Sequence, residues 1–161
     1  MAIVFGVVLI VRGGDEIDTD VRKHVDACST TESKMTYLCS LITENGNSSD
    51  AANLRKSSAI RLLGKTGGTN AISTLVTNLT FMDRRYNGSP ASRALVDIGE
   101  AAVPELLKVV EGSTDELKIQ WAALTVGVIK GGTWKEFLEQ QKGILPRKAF
   151  DRLTHYAIII N

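Results

Sequence analysis

His24 and Cys28 stand four residues apart, one helical turn, a spacing that can present two ligands to one metal ion. A structural zinc site needs four, and the chain's remaining histidine and cysteine are His155, at the far end, and Cys39. No Cys/His cluster completes the set, so no metal is expected, and His24 and Cys28 read as part of an amphipathic helix surface. Gly64-Lys65-Thr66 imitates the end of a phosphate-binding loop. The motif needs a glycine five residues earlier, where this chain has Ala59, and it needs a strand leading in, where the pattern here is helical. No catalytic residue and no cofactor are assigned, and the chain is expected not to be an enzyme. Cys39 falls at an apolar position and reads as a small core residue, with a Cys28 to Cys39 disulfide between the first two helices as the alternative.

Nineteen Lys and Arg against 18 Asp and Glu leave a formal charge of +1. A nucleic-acid binder usually carries a basic excess or stripe that neutralises phosphates, so nucleic acid is disfavoured as a partner. The 161 residues suit one domain, and three prolines with 43% hydrophobic residues argue for a packed core over a disordered chain. Residues 1–18 form an apolar N-terminal segment. Its run from Ala2 to Val11 is far shorter than the ~20 residues a membrane-spanning helix requires. It lacks a basic start, and Arg12-Gly13-Gly14 follows where a small-residue cleavage site would stand. It reads either as a segment packing on the first helices or as a degenerate secretory signal. A cytoplasmic location is favoured over export, which stays open.

From about residue 20 the apolar residues recur at three and four, and the spacing predicts helices over 19–29, 31–44, 50–66, 69–81, 90–99, 101–111, 114–130, 133–142 and 146–159. Residues 19–161 are expected to form one all-α domain. Internal repetition is the strongest signal. At an offset of 31, Ile72, Leu75, Val76 and Leu79 fall on Val103, Leu106, Leu107 and Val110, then on Trp134, Phe137, Leu138 and Gln141. Ala59, Leu63 and Thr66 superpose likewise on Ala91, Leu95 and Ile98, then on Ala122, Val126 and Ile129, at offsets of 32 and 31. The extra residue is placed in the first hairpin, after Gly67. A fainter copy precedes these, with Val21, Val25 and Cys28 followed by Met35, Leu38, Cys39 and Ile42, and the tail with Phe150, Leu153, Tyr156 and Ala157 is expected to cap the stack. A lone helix pair cannot bury its apolar stripe, so three to four stacked helix-turn-helix units, an α-solenoid, are expected.

The segment from Ala59 to Gly68 followed by Ala71, Ile72 and Leu75 resembles the short HEAT repeats named after phycobiliprotein lyases. The copy from Ser92 to Leu107, with Ala-Leu-Val-Asp-Ile-Gly and then Ala-Val-Pro-Glu-Leu-Leu, is closer still. The likeness spans about residues 53–142 and is loose in the third copy, where Lys130 replaces the turn glycine. The ordering also resembles bacterial HEAT proteins, many of which look exported. HEAT proteins that hydroxylate a modified lysine carry His-Glu pairs, and this chain has none. HEAT-like DNA glycosylases use aromatic residues on a basic concave face, whereas Trp134 and Trp121 read here as packing residues. Phycobilin lyases share the repeat class, but no residue specifically marks that activity.

The resemblance implies a protein-binding scaffold or adaptor whose second helices line the concave side. The offset of 31 then aligns Thr74, Glu105 and Glu136 in one row, and Thr77, Lys108 and Glu139 in another, a mixed and slightly acidic groove suited to a protein or peptide with basic groups. The insert from Met82 to Asn87 adds Arg84, Arg85 and Tyr86, residue types enriched at binding hot spots. The alternative is an enzyme or enzyme subunit acting on a bound macromolecule, lyase-like or nucleic-acid-modifying.

Overall fold

The computed structural model describes residues 16–44, 49–83 and 88–157, and the apolar run from Ala2 to Val11 lies outside them. Nine helices run through the described residues: α1 (16–27), α2 (Thr31–Thr43), α3 (Asp50–Gly67), α4 (Ile72–Thr77), α5 (Pro90–Ile98), α6 (Val103–Gly112), α7 (Glu116–Lys130), α8 (Trp134–Gln141) and α9 (Arg147–Ala157). Among those residues there is no strand, and a single antiparallel bridge joins Asp83 to Gly88. No helix among them is long and apolar enough to cross a membrane.

Short polar residues start the helices. Thr30 caps α2 in a reciprocal box, its hydroxyl accepting from the Ser33 amide at 3.1 Å while Ser33 Oγ accepts from the Thr30 amide at 3.2 Å. Ser49, Ser89 and Asp115 cap α3, α5 and α7. Pro90 opens α5, where a missing amide leaves nothing unsatisfied. The first helix of each pair ends on a glycine. Gly68, Gly99 and Gly131 have φ of 50, 77 and 46° with ψ of −130, −141 and −123°, a mirror image of the extended region that suits glycine and little else. Each opens a short 3-10 turn, Gly68–Ala71, Gly99–Ala102 or Gly131–Thr133, which feeds α4, α6 or α8 directly. The unit of helix, glycine, 3-10 turn and helix occurs three times.

This geometry corrects two expectations. The turn glycine of the third unit is not lost: α7 runs through Lys130, and Gly131 makes the turn. In the first unit Gly67 still belongs to α3, so the extra residue lies at the end of that helix and not in the hairpin. The helix expected over 69–81 is also shorter, a 3-10 turn followed by α4 alone. There the Asn78 side-chain Nδ2 donates to the Thr74 carbonyl at 2.9 Å, the Asn78 backbone N–H to the Leu75 carbonyl at 3.0 Å and the Phe81 N–H to the Asn78 carbonyl at 3.0 Å, so the chain leaves the helix in turns.

Packing follows the repeated apolar register. Leu75, Leu106 and Val110 are fully buried on the second helices and Leu79 in the turn after α4, as are Ala59, Leu63, Ala91, Leu95, Ala122 and Val126 on the first helices, while Thr66, Ile98 and Ile129 are half-buried. Helix α3 packs on α2 and α5, α5 on α7, and α7 on α9; α4 packs on α5 and α6, and α6 on α7 and α9. Burial of this kind stabilises by roughly 25 cal/mol per Å² of apolar surface. The third unit is thinner. Phe137 is the one buried residue of α8, and Trp134 and Leu138 are half-buried where full burial was expected. The close approach of α3 and α5 needs Gly64, because a Cβ there would lie 2.6 Å from Ala94 Cβ. The residue that imitates a phosphate loop is thus a packing glycine inside a helix. At the end of the chain, Arg152 of α9 donates to the carbonyls of Val110 at 3.1 Å and Ser113 at 3.4 Å, satisfying the C-terminal end of α6.

Candidate functional site

Of the rows expected on the second helices, Thr77, Lys108, Glu136 and Glu139 are exposed, and Thr74 and Glu105 half-buried. Their interactions stay within single helices. The Lys108 ammonium meets Glu105 at 2.6 Å and that of Lys142 meets Glu139 at 3.9 Å, in both cases three residues apart, while the Thr77 hydroxyl donates to the Ser73 carbonyl at 3.0 Å. Helix α4 packs against α6, whereas α8 packs chiefly on α7, and no hydrogen bond or ion pair between described residues joins these side chains across helices. Arg84, Arg85 and Tyr86 lie outside the described residues. The base of their insert is not a solvated turn, however. Asp83 is buried, accepts a hydrogen bond from the buried Ser57 hydroxyl of α3, and donates its amide to the Gly88 carbonyl at 3.1 Å.

The two residues at metal-ligand spacing are engaged in packing. His24 Nδ1 lies 3.0 Å from the Asp20 carbonyl, and its ring stacks on Tyr37 with centroids 5.6 Å apart, tying α1 to α2. Cys28 donates its thiol to the His24 carbonyl at 3.3 Å. Both cysteines are free and half-buried, so the disulfide alternative is not realised. Among the described residues no group of three or more His, Cys, Asp or Glu is placed to hold a metal ion.

A concavity of about 210 Å³ lies elsewhere, lined by residues of α1, α3 and α5. Helix periodicity assembles it. Asp18 and Arg22 are one turn apart on α1; Ser58, Arg61 and Lys65 follow the three-and-four spacing of one face of α3; Arg93 and Asp97 are one turn apart on α5. The floor is a cross-helix network. Arg61 Nη2 donates to Asp18 Oδ2 at 2.6 Å and Oδ1 at 2.9 Å, and the buried Ser58 hydroxyl donates to the same carboxylate. The Arg61 and Asp18 side chains keep only 27% and 20% of their exposure, so this pair works in a less screened medium than a surface pair. Arg22, Lys65 and Arg93 are exposed around it and form no ion pair with any described residue.

Three groups with shifted ionisation lie away from this cavity. Burial pulls the Lys56 ammonium below its ordinary value, with the ring of Phe81 5.0 Å away. Burial, aided by Asp20, raises Tyr37, and the hydrogen bond that Tyr156 donates to Glu116 raises Tyr156. The cavity was not among the sites expected from sequence, although a signal for it existed. The offset of 32 that superposes Ala59 on Ala91 also superposes Arg61 on Arg93, on the same outward face. No protein-family model, no curated protein and no solved structure matches the chain.

Proposed function

We propose that the chain is a non-catalytic α-solenoid of HEAT type, three to four helix pairs closed by α9, which acts as a scaffold or adaptor for another protein. Its binding face is the polar side of α4, α6 and α8, and its partner is a protein or peptide bearing basic groups. The observation that carries this reading is the threefold recurrence of the helix, glycine, 3-10 turn and helix unit with one buried register. A repeated register leaves repeated positions outside, and here these are Thr74, Glu105 and Glu136 beside Thr77, Lys108 and Glu139. Three carboxylates against the ammoniums of Lys108 and Lys142 make the face mixed and slightly acidic, complementary to basic partners. The insert residues Arg84, Arg85 and Tyr86 join the proposal on their sequence alone.

The test is capture of partners from a lysate of the native organism by wild type, by the Glu105→Lys/Glu136→Lys variant and by Arg93→Glu, which alters the cavity of α1, α3 and α5. A protein retained by wild type and by Arg93→Glu, but lost from the double variant with unchanged helical circular dichroism, is the expected result. Equal capture by all three chains removes the second-helix face from consideration.

A further inference from the structure

Three helices each supply an exposed cation to the same small concavity: Arg22 from α1, Lys65 from α3 and Arg93 from α5. None of the three is neutralised by an ion pair with a described residue. Like charges gathered around one cavity repel one another, and a bound anion turns that repulsion into attraction. The neighbouring charges sharpen the match. Arg61 and Asp18 face each other at the floor, and among the described lining residues the exposed charges are three cations against the one carboxylate of Asp97. Pairing Arg61 with Asp18 also fixes α1 against α3, so the spacing between Arg22 and Lys65 is set before anything binds.

Size narrows the ligand. A volume of about 210 Å³ lies below the ~300–1,000 Å³ of typical organic-ligand sites. It suits one tetrahedral oxyanion with a short organic group. Arginine recognises phosphate oxygens with two parallel N–H donors and lysine does so as a point charge, so two arginines and one lysine form a phosphate-type donor set. We infer that this cavity binds a phosphate monoester as its dianion, with Arg22, Lys65 and Arg93 on the phosphate and Asp97 at the rim, placed to accept from a hydroxyl of the organic part. The site is independent of the second-helix face and stands whether or not a protein partner binds there.

Calorimetric titration of the full chain at low salt, with inorganic phosphate and with glycerol 3-phosphate, tests the inference. Both are expected to bind near neutral pH; affinity for glycerol 3-phosphate is expected to fall as its dianion takes up a proton near pH ~6, and that for inorganic phosphate about one pH unit higher. Arg93→Gln and Lys65→Gln, both at exposed positions that leave the core intact, should each weaken binding about tenfold. Asp97→Asn should tighten inorganic phosphate a few-fold, since it removes a repelling carboxylate, and Lys135→Gln on α8 should change nothing. Absence of phosphate binding at millimolar concentration overturns the inference, as does binding that none of the cavity variants alters. Binding of a DNA duplex through Arg22, Lys65 and Arg93 without binding of either small phosphate would also overturn it, in favour of a backbone-tracking surface.

Discussion

On the α6 and α8 side, Glu105 meets Lys108 and Glu139 meets Lys142, each pair three residues apart on one helix. In the cavity of α1, α3 and α5, Arg61 reaches Asp18 across two helices and 43 residues of chain. The first kind of pair steadies a single helix surface and leaves its charges free to rearrange around a partner. The second sets the position of one helix on another and so builds a concavity of defined shape. An open row suits a broad, adaptable contact, whereas the tied cavity suits a small ligand of one geometry.

Removing the tie should have the largest effect. Asp18→Ala leaves Arg61 and the buried Ser58 without their carboxylate and is expected to cost about 2–3 kcal/mol in urea unfolding. That is less than the ~3–5 kcal/mol of a fully buried pair, because both side chains remain partly wet. A smaller loss, about 1–2 kcal/mol, is expected for Gly64→Ala, which forces a methyl group against Ala94 and pushes α5 away from α3. Thermal unfolding checks the stability, and phosphate titration of the same variant should show weakened binding, since Ala94 lines the cavity. The smallest effect belongs to the open row. A double-mutant cycle on Glu105 and Lys108 should give a coupling of about 0.3–0.5 kcal/mol that fades in molar salt. A coupling as large as the loss in Asp18→Ala would erase the contrast between the two faces.

The helices and their buried register were legible in the sequence because Leu63, Leu95 and Val126, or Leu75 and Leu106, are placed by a periodicity that the core itself imposes. The turns were legible only to within a residue. Gly67-Gly68 and Gly131-Gly132 each offer two glycines, and the choice between them depends on how far α3 and α7 continue before the backbone must reverse. Gly67 stays helical in a tight place, where a Cβ would come within 3.0 Å of Ala71 and 3.3 Å of Met35. The cavity was not legible as a site. The pairing of Asp18 with Arg61 is a tertiary contact that local spacing cannot report, and Arg22 acquires significance only once α1 lies beside α3. Asp83 was hidden for a related reason, since a carboxylate in a polar insert gives no local sign that Ser57 will take it into the interior.

Three of the four described glycines with positive φ, those that turn the repeated helix pairs, bear on how this chain can change over time. At Gly68, Gly99 and Gly131 a Cβ would meet no neighbouring atom, so the constraint comes from the backbone itself and not from crowding. Enlarging or reshaping the surroundings cannot relieve it, because the strain of a side chain there lies in the backbone dihedrals. Tolerance to mutation at these turns is therefore expected to dip at intervals of 31 and 32 residues, once per repeated unit.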